Sequence, residues 1–237
     1  FIRHLLNPLA NEITMQKISQ TSTVGLTTYE AIRNDIIFGR LEPDTKLKLS
    51  KMKEAYSASV STLRETLNRL ASEGFVIAEE QRGFFVAPVS PEDLREISDL
   101  RILLECNALE KSILNGDTDW EANVVAAHHK LHRMEEQMLS GDESQKELWK
   151  QHDKEFHQAL IMACGSQNLL NVHSIVYSKY LRYQMQVLTY RGGDAAGEHR
   201  KLFEAALERD VEKAIKYLRI HIESGLEHTL RVFGQST

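Results

Sequence analysis

Residues 50–89 read SKMKEAYSASVSTLRETLNRLASEGFVIAEEQRGFFVAPV. Ser50 can cap a short helix that runs to about Tyr56. The Ser57-Ala58-Ser59 break leads into a second helix, with Leu63, Leu67 and Leu70 at the spacing of one buried face. Gly74 stops that helix, as a glycine just past the last turn does. Phe75, Val76 and Ile77 then start a strand, Gln81-Arg82-Gly83 makes a tight turn, and Phe84, Phe85 and Val86 return. Upstream, Thr27 or Thr28 can cap a helix carrying Tyr29, Ile32, Ile36 and Ile37 on one face and ending near Gly39. Glu42-Pro43-Asp44 follows as a turn. Three helices and a hairpin make a winged helix-turn-helix.

Pro88 and Pro91 mark a linker. Beyond it, apolar residues recur at helical spacing over segments near 91–115, 119–140, 144–165, 167–190, 195–208 and 211–233. Gly116, Gly141, Gly165 and Gly192-Gly193 fall between them. The fold class is therefore mainly α: a winged helix-turn-helix over 26–89 and an all-α helical bundle over 90–237. Residues 1–25 are expected to be an N-terminal extension, disordered or partly non-native. The chain begins with Phe1, and Met15 is a candidate start.

The chain's 237 residues can bury one large core or two modest ones. At 42% hydrophobic and 27% charged the composition suits a soluble, cytoplasmic protein, and no stretch approaches the roughly 20 apolar residues of a spanning helix. The first residues lack the apolar run and small-residue cleavage site of a signal peptide. Cys106 and Cys164 read as buried free thiols in a reducing compartment.

Net charge is −5, which taken alone argues against a nucleic-acid binder. The distribution matters more: the first 90 residues carry 11 basic and 10 acidic side chains, and the excess acid lies beyond them. Lys46, Lys48, Lys51 and Lys53 cluster where a helix would meet a phosphate backbone, or form a solvated face. The start of the second helix of the motif offers Ser59, Ser61, Thr62 and Arg64 to a major groove, with Ser50 on the helix before it. Arg64 can fork onto a guanine or hold a phosphate; alternatively it is a surface charge paired with an acid. Arg82 and Gly83 at the wing tip can meet the minor groove or the backbone.

Asp153 and His157 lie four apart and share a helix face. With His199 and His221 they offer one carboxylate and three imidazoles from three helices, a ligand set for Zn²⁺ that also suits Ni²⁺ or Mn²⁺. Glu105 or Glu198 can orient a ligating ring. The chain has ten histidines, and spacing alone does not separate a metal site from scattered core and surface rings. His128, His129 and His132 read as a solvated face; His173 and His228 have no evident partner.

The stretch STLRETLNRLASEGFV resembles the recognition-helix signature of the GntR family of bacterial repressors, with Leu63, Arg64, Glu65 and Leu67 in its core and Leu70, Glu73 and Gly74 in its tail. Val60 and Ser50 stand where the family often has arginines, so base readout is expected to differ. Residues 93–230 resemble the FCD effector domain of the FadR branch: Asp153 to His157 with Phe156 between, Glu198-His199, His221, and Arg101 with Glu105. The resemblance implies a homodimer that reads double-stranded operator DNA. It implies a divalent metal, Zn²⁺ in the first place, on Asp153, His157, His199 and His221. It also implies a small organic acid bound beside the metal, with Arg101 and Glu105 as effector-binding residues. Tyr180, Arg182 and Tyr183 lie on a helix that can line the pocket, or belong to the bundle core or surface.

The expected function is a ligand-responsive transcriptional repressor, released from its operator by a carboxylate, with no enzymatic activity. One alternative makes the metal itself the signal. Another makes the open-sided metal hydrolytic, with Glu155 or Glu198 as base, and leaves the winged domain unexplained.

Overall fold

The computed structural model describes residues 25–142, 144–187 and 191–235. Most of the expected N-terminal extension lies outside these residues, as does the end of the helix expected to reach residue 190. The chain divides into two compact units, one up to Pro88 and one from Val89 onward.

In the first unit, helix α1 spans residues 25–37, strand β1 Lys46–Leu47, α2 Leu49–Ala55, α3 Val60–Ser72, β2 Val76–Glu79 and β3 Gly83–Val86. The helices form where leucines and isoleucines repeat on one face. Ile32, Ile36, Leu63, Leu67, Leu70 and Phe75 are fully buried, each contributing roughly 1.5–3 kcal/mol by leaving water. The sheet order is β1-β3-β2, all antiparallel, with Val76 opposite Val86 and Glu79 opposite Gly83. The hairpin is the expected wing. The two-residue strand β1, which pairs Lys46 with Phe85, is an addition; so short a strand leaves no periodicity to read.

Two capping expectations are corrected. Helix α1 is already under way at residue 25, so Thr27 and Thr28 lie inside it. Lys48, extended at the end of β1, precedes the first turn of α2, and Ser50 is that helix's second residue. Ser59 does cap α3, accepting from the Thr62 amide at 3.1 Å, a contact worth about 1 kcal/mol. A charged clamp ties α1 to the end of α3. Tyr29 donates to Glu73 at 2.7 Å, and Arg69 lies 3.8 Å over the Tyr29 ring. Burial, then the Glu73 carboxylate, push the Tyr29 hydroxyl up to about 12.

In the second unit the regular structure of the described residues is all helix: α4 Pro91–Asn115, α5 Thr118–Leu139, α6 Lys146–Ile161, α7 Gln167–Val187, α8 Gly193–Leu207 and α9 Val211–Gln235. Ser90 caps α4 with Pro91 in its first turn, and Asp117 caps α5. Helix α6 ends four residues before the expected 165 because Ser166 begins the next cap, accepting from the Leu169 amide. Helix α4 packs against α6, α7 and α9, while α5 covers α6 and α8. That central position explains why α4 buries polar Ser98, Arg101, Glu105 and Ser112 beside Leu94, Ala108 and Leu109. Polar groups so placed need partners inside the bundle, and supplying them builds the site below.

Candidate metal centre and nucleic-acid interface

Helix α6 presents Asp153 and His157 inward one turn apart, α8 presents His199, and α9 presents His221; all four are buried. One ligand atom from each lies within 4.8 Å of the others. Every ring is anchored from behind by a carboxylate. His157 donates Nδ1–H to Glu105 of α4, His199 donates to Glu135 of α5 at 2.6 Å, and His221 donates to Glu198 of α8 at 2.8 Å. A carboxylate can only accept, so each contact fixes a proton on Nδ1 and makes Nε2 the nitrogen that can give its lone pair to an ion, for His199 once its second proton has left.

Asp153 is oriented in the same way. Its Oδ2 accepts from the Tyr177 hydroxyl at 3.0 Å and from Lys150 at 3.4 Å. Its Oδ1 comes within 3.1 Å of His199 Nε2 and 3.8 Å of His157 Nε2. At 3.1 Å a hydrogen bond is within reach, but Asp153 Oδ1, His199 Nε2 and His157 Nε2 are all buried without hydrogen-bond geometry. Buried polar atoms rarely lack partners. Orphans that converge on one point, backed by carboxylates, are what a metal ligand set requires. The residues present therefore fit a divalent ion.

The electrostatics agree. Burial would raise the Glu105 carboxyl, but Arg101 and His157 hold it well below the usual range. Burial would likewise raise Asp153, and Lys150 with His199 holds it down. Glu198, despite burial, is drawn to about 2 by His221 and Arg191. Burial lowers His157 and His221, with the charge on His199 adding to the effect at His221. His199 goes the other way, up to about 9, because the Asp153 and Glu135 carboxylates, which face its two ring nitrogens and favour a proton on each, outweigh its burial. A proton on His199 thus occupies the electrostatic place of a cation.

Arg101 donates Nε to Glu105 at 2.8 Å and lies 4.4 Å over the Tyr177 ring and 4.6 Å over Tyr180. Glu105 also meets His173 at 3.1 Å, which supplies the partner that histidine lacked in the sequence. Tyr183 donates to Asp93 and accepts from the Ser90 amide, so it belongs to the start of α4. His129 and His132 are exposed as expected, but His128 is half-buried and stacks on Phe203 at 4.1 Å. Burial and neighbouring histidines lower it to about 4.

In the first unit, Ser50, Ser59, Ser61 and Arg64 are exposed, and Thr62 is half-buried. The Ser59 hydroxyl is shared among the α3 cap, Ser61 and Thr62. Among the described residues Arg64 has no ion pair, so the alternative of a charge neutralised by a nearby acid is not realised. Arg82 is paired with Glu79 across the wing and lies 5.3 Å from the Phe85 ring. Gly83 has φ +95°, a conformation that favours glycine, with open space around it.

The family profile for GntR-type bacterial regulatory proteins matches residues 25–86, and that for the FCD domain matches residues 96–224. The chain belongs to the GntR family and carries an FCD domain. It is 37% identical over 209 residues to the HTH-type transcriptional regulator BphR of Paraburkholderia xenovorans, covering 87% of this chain and 85% of that one. It is 33% identical over 205 residues to the HTH-type transcriptional repressor GlaR of Escherichia coli, covering 83% and 91%. The solved structure of E. coli McbR/YncC matches with a TM-score of 0.74 at 18% identity, over 90% of this chain and 99% of that one, and shares the fold.

Within this GntR-family regulator, a cavity of about 20 Å³ adjoins the ligand cluster of the FCD domain. Asp153, His199 and His221 face it, along with Lys150, Gln184 and Arg191. Arg101 and Glu105 do not line it; they stand behind His157. The cations that do line it, Lys150 and Arg191, were not singled out in the sequence. Lys150 is one of three lysines in KELWKQHDK, and nothing in its residue type sets it apart from a surface lysine. No described helix is long and apolar enough to cross a membrane.

Proposed function

We propose that the protein is a cytoplasmic, homodimeric repressor that holds double-stranded operator DNA and is released by a small carboxylate bound beside a divalent ion in the helical bundle. The observation carrying this reading is the set of three buried imidazoles, each locked by a carboxylate on Nδ1, whose free nitrogens converge with Asp153 Oδ1. Asp153, His157, His199 and His221 hold the ion, Zn²⁺ first and Ni²⁺ or Mn²⁺ as alternatives. The ion would supply positive charge and open positions for a carboxylate oxygen. Glu105 fixes His157 and Arg101 fixes Glu105, so this pair acts on the effector through the ligand it orients. Ser50, Ser59, Ser61, Thr62, Arg64, Arg82 and Gly83 face the DNA. The effector shifts the DNA equilibrium only by as much as it favours one arrangement of the dimer.

The test is fluorescence anisotropy with DNA from upstream of the protein's own gene, against an unrelated duplex. Binding that survives the competitor and falls when a carboxylate is added to metal-loaded protein supports the reading. Binding to neither duplex by folded, metal-loaded protein defeats it.

The cavity size supports a second reading. About 20 Å³ has room beside an ion for a water or a single small carboxylate head and none for the body of a larger acid, as expected if the metal itself is the signal. DNA affinity that follows metal alone, and ignores every acid tried, selects it.

A further inference from the structure

Lys150 is buried on α6, one turn before Asp153. Among the described residues its ammonium meets Asp153 Oδ2 at 3.4 Å, Gln184 Oε1 at 2.9 Å and the Trp149 ring at 4.1 Å. Of these three, only Asp153 carries a compensating charge. A buried ammonium is tolerated when paired and is expensive otherwise. Yet Asp153 is also the ligand cluster's one carboxylate, with Oδ1 aimed at the histidines. A divalent ion there brings two positive charges, of which Asp153 offsets one. Lys150 is then left beside a net positive centre. The other cation lining the cavity, Arg191, is already neutralised by a two-pronged contact with Glu198 at 3.1 and 2.7 Å. The uncompensated charge therefore lies at Lys150, on the wall of the cavity that adjoins the ligands.

We propose that Lys150 couples metal to anion: an ion held by Asp153 takes away the ammonium's charge partner, and the carboxylate head of a small acid, bound between the two, replaces it. This rests on the reading of the ligand cluster as a metal centre. Because coupling is reciprocal, the anion tightens the metal by the factor that the metal tightens the anion. Metal alone is held below the affinity its ligands would otherwise give, since Lys150 repels it.

The experiment measures Zn²⁺ affinity of the full-length protein by chelator competition, in acetate and in methanesulfonate of equal ionic strength. Lys150→Met removes the charge and keeps most of the stem; Lys150→Arg restores the charge. In the wild type, acetate is expected to tighten Zn²⁺ by about fivefold or more. Lys150→Met should bind Zn²⁺ more tightly than wild type in methanesulfonate and lose most of the acetate effect, and Lys150→Arg should regain it. If Lys150→Met unfolds, as judged by circular dichroism, Lys150→Gln is read in its place. An equal acetate effect without the charge, or weaker Zn²⁺ binding in methanesulfonate, overturns the coupling and leaves Lys150 as a prop for Asp153. Zn²⁺ uptake by the wild type with no acetate effect also overturns it, while the metal centre stands. A wild type that takes up no Zn²⁺ overturns both.

Discussion

His199 donates its Nδ1–H to Glu135 at 2.6 Å, joining α8 to α5 across 64 residues of sequence. Both side chains are 1% exposed, so neither has water as a substitute partner. The contact fixes the tautomer, turns Nε2 towards Asp153 and makes the ring a stronger donor to a cation. Glu135→Ala should therefore lower Zn²⁺ affinity by about 10–100-fold. Glu135→Gln, which keeps an acceptor but not the charge, should fall between. Chelator competition gives both values, and an unchanged affinity in Glu135→Ala would show that His199 is not a ligand.

The pair also shows where sequence reading stops. Asp153 and His157 are legible because four residues on a helix make one face. Glu105 and Glu198 were identifiable as orienting acids, the latter because it adjoins His199. Glu135 and His173 were not, because each meets its partner only through tertiary packing. In sequence, Glu135 is one acid in HRMEEQM, and helical period marks it for burial without saying what it touches. Lys150 was missed for a different reason: a lysine is ordinarily solvated, yet this side chain is buried in the bundle. The wing and the three helices before it were legible from Leu63, Leu67, Leu70, Gly74 and the paired apolar runs. The strand Lys46–Leu47 was not, being too short to carry a pattern.

The proton on His199 makes metal binding depend on pH. Its pKa is raised from the ordinary 6.5 to about 9. A raised folded-state value gives stability that is complete below the unfolded pKa and is lost as pH rises through the folded one. The metal-free protein should thus melt at progressively lower temperature between about pH 6.5 and 9. A bound ion replaces that proton, so the metal-loaded protein should not show this loss. The gap between the two melting temperatures therefore widens with pH. Thermal melts with chelator and with excess Zn²⁺ check this; parallel curves over that range would exclude a charged His199.

Gly116, between α4 and α5, is required by space rather than by backbone angle. Its φ is −65°, open to any residue, but an added Cβ would stand 2.5 Å from the Trp120 ring. That ring is held in turn, since its Nε1 donates to the Ala159 carbonyl at 3.0 Å and ties α5 to the helix bearing Asp153 and His157. Gly116→Ala should cost about 1–3 kcal/mol through overpacking. Urea unfolding followed by circular dichroism reads the loss, and an unchanged midpoint would mean that the indole moves freely.

Arg64 and Arg82 should separate sequence readout from backbone attraction. Arg64 is exposed near the start of α3, and among the described residues it has no ion pair. It is free to fork onto a base edge, so Arg64→Ala should cost about 1–3 kcal/mol on the operator and much less on an unrelated duplex. Arg82 is held by Glu79 at the wing. A charge shared in this way suits a phosphate, which needs only a positive field. Arg82→Ala should therefore weaken both duplexes alike and reduce the salt dependence of binding by about one phosphate contact. Anisotropy titrations over a range of salt distinguish the two patterns. If Arg64→Ala instead weakened both duplexes equally, with the lower salt slope, α3 would be gripping the backbone, and operator choice would have to come from the wing or from DNA shape.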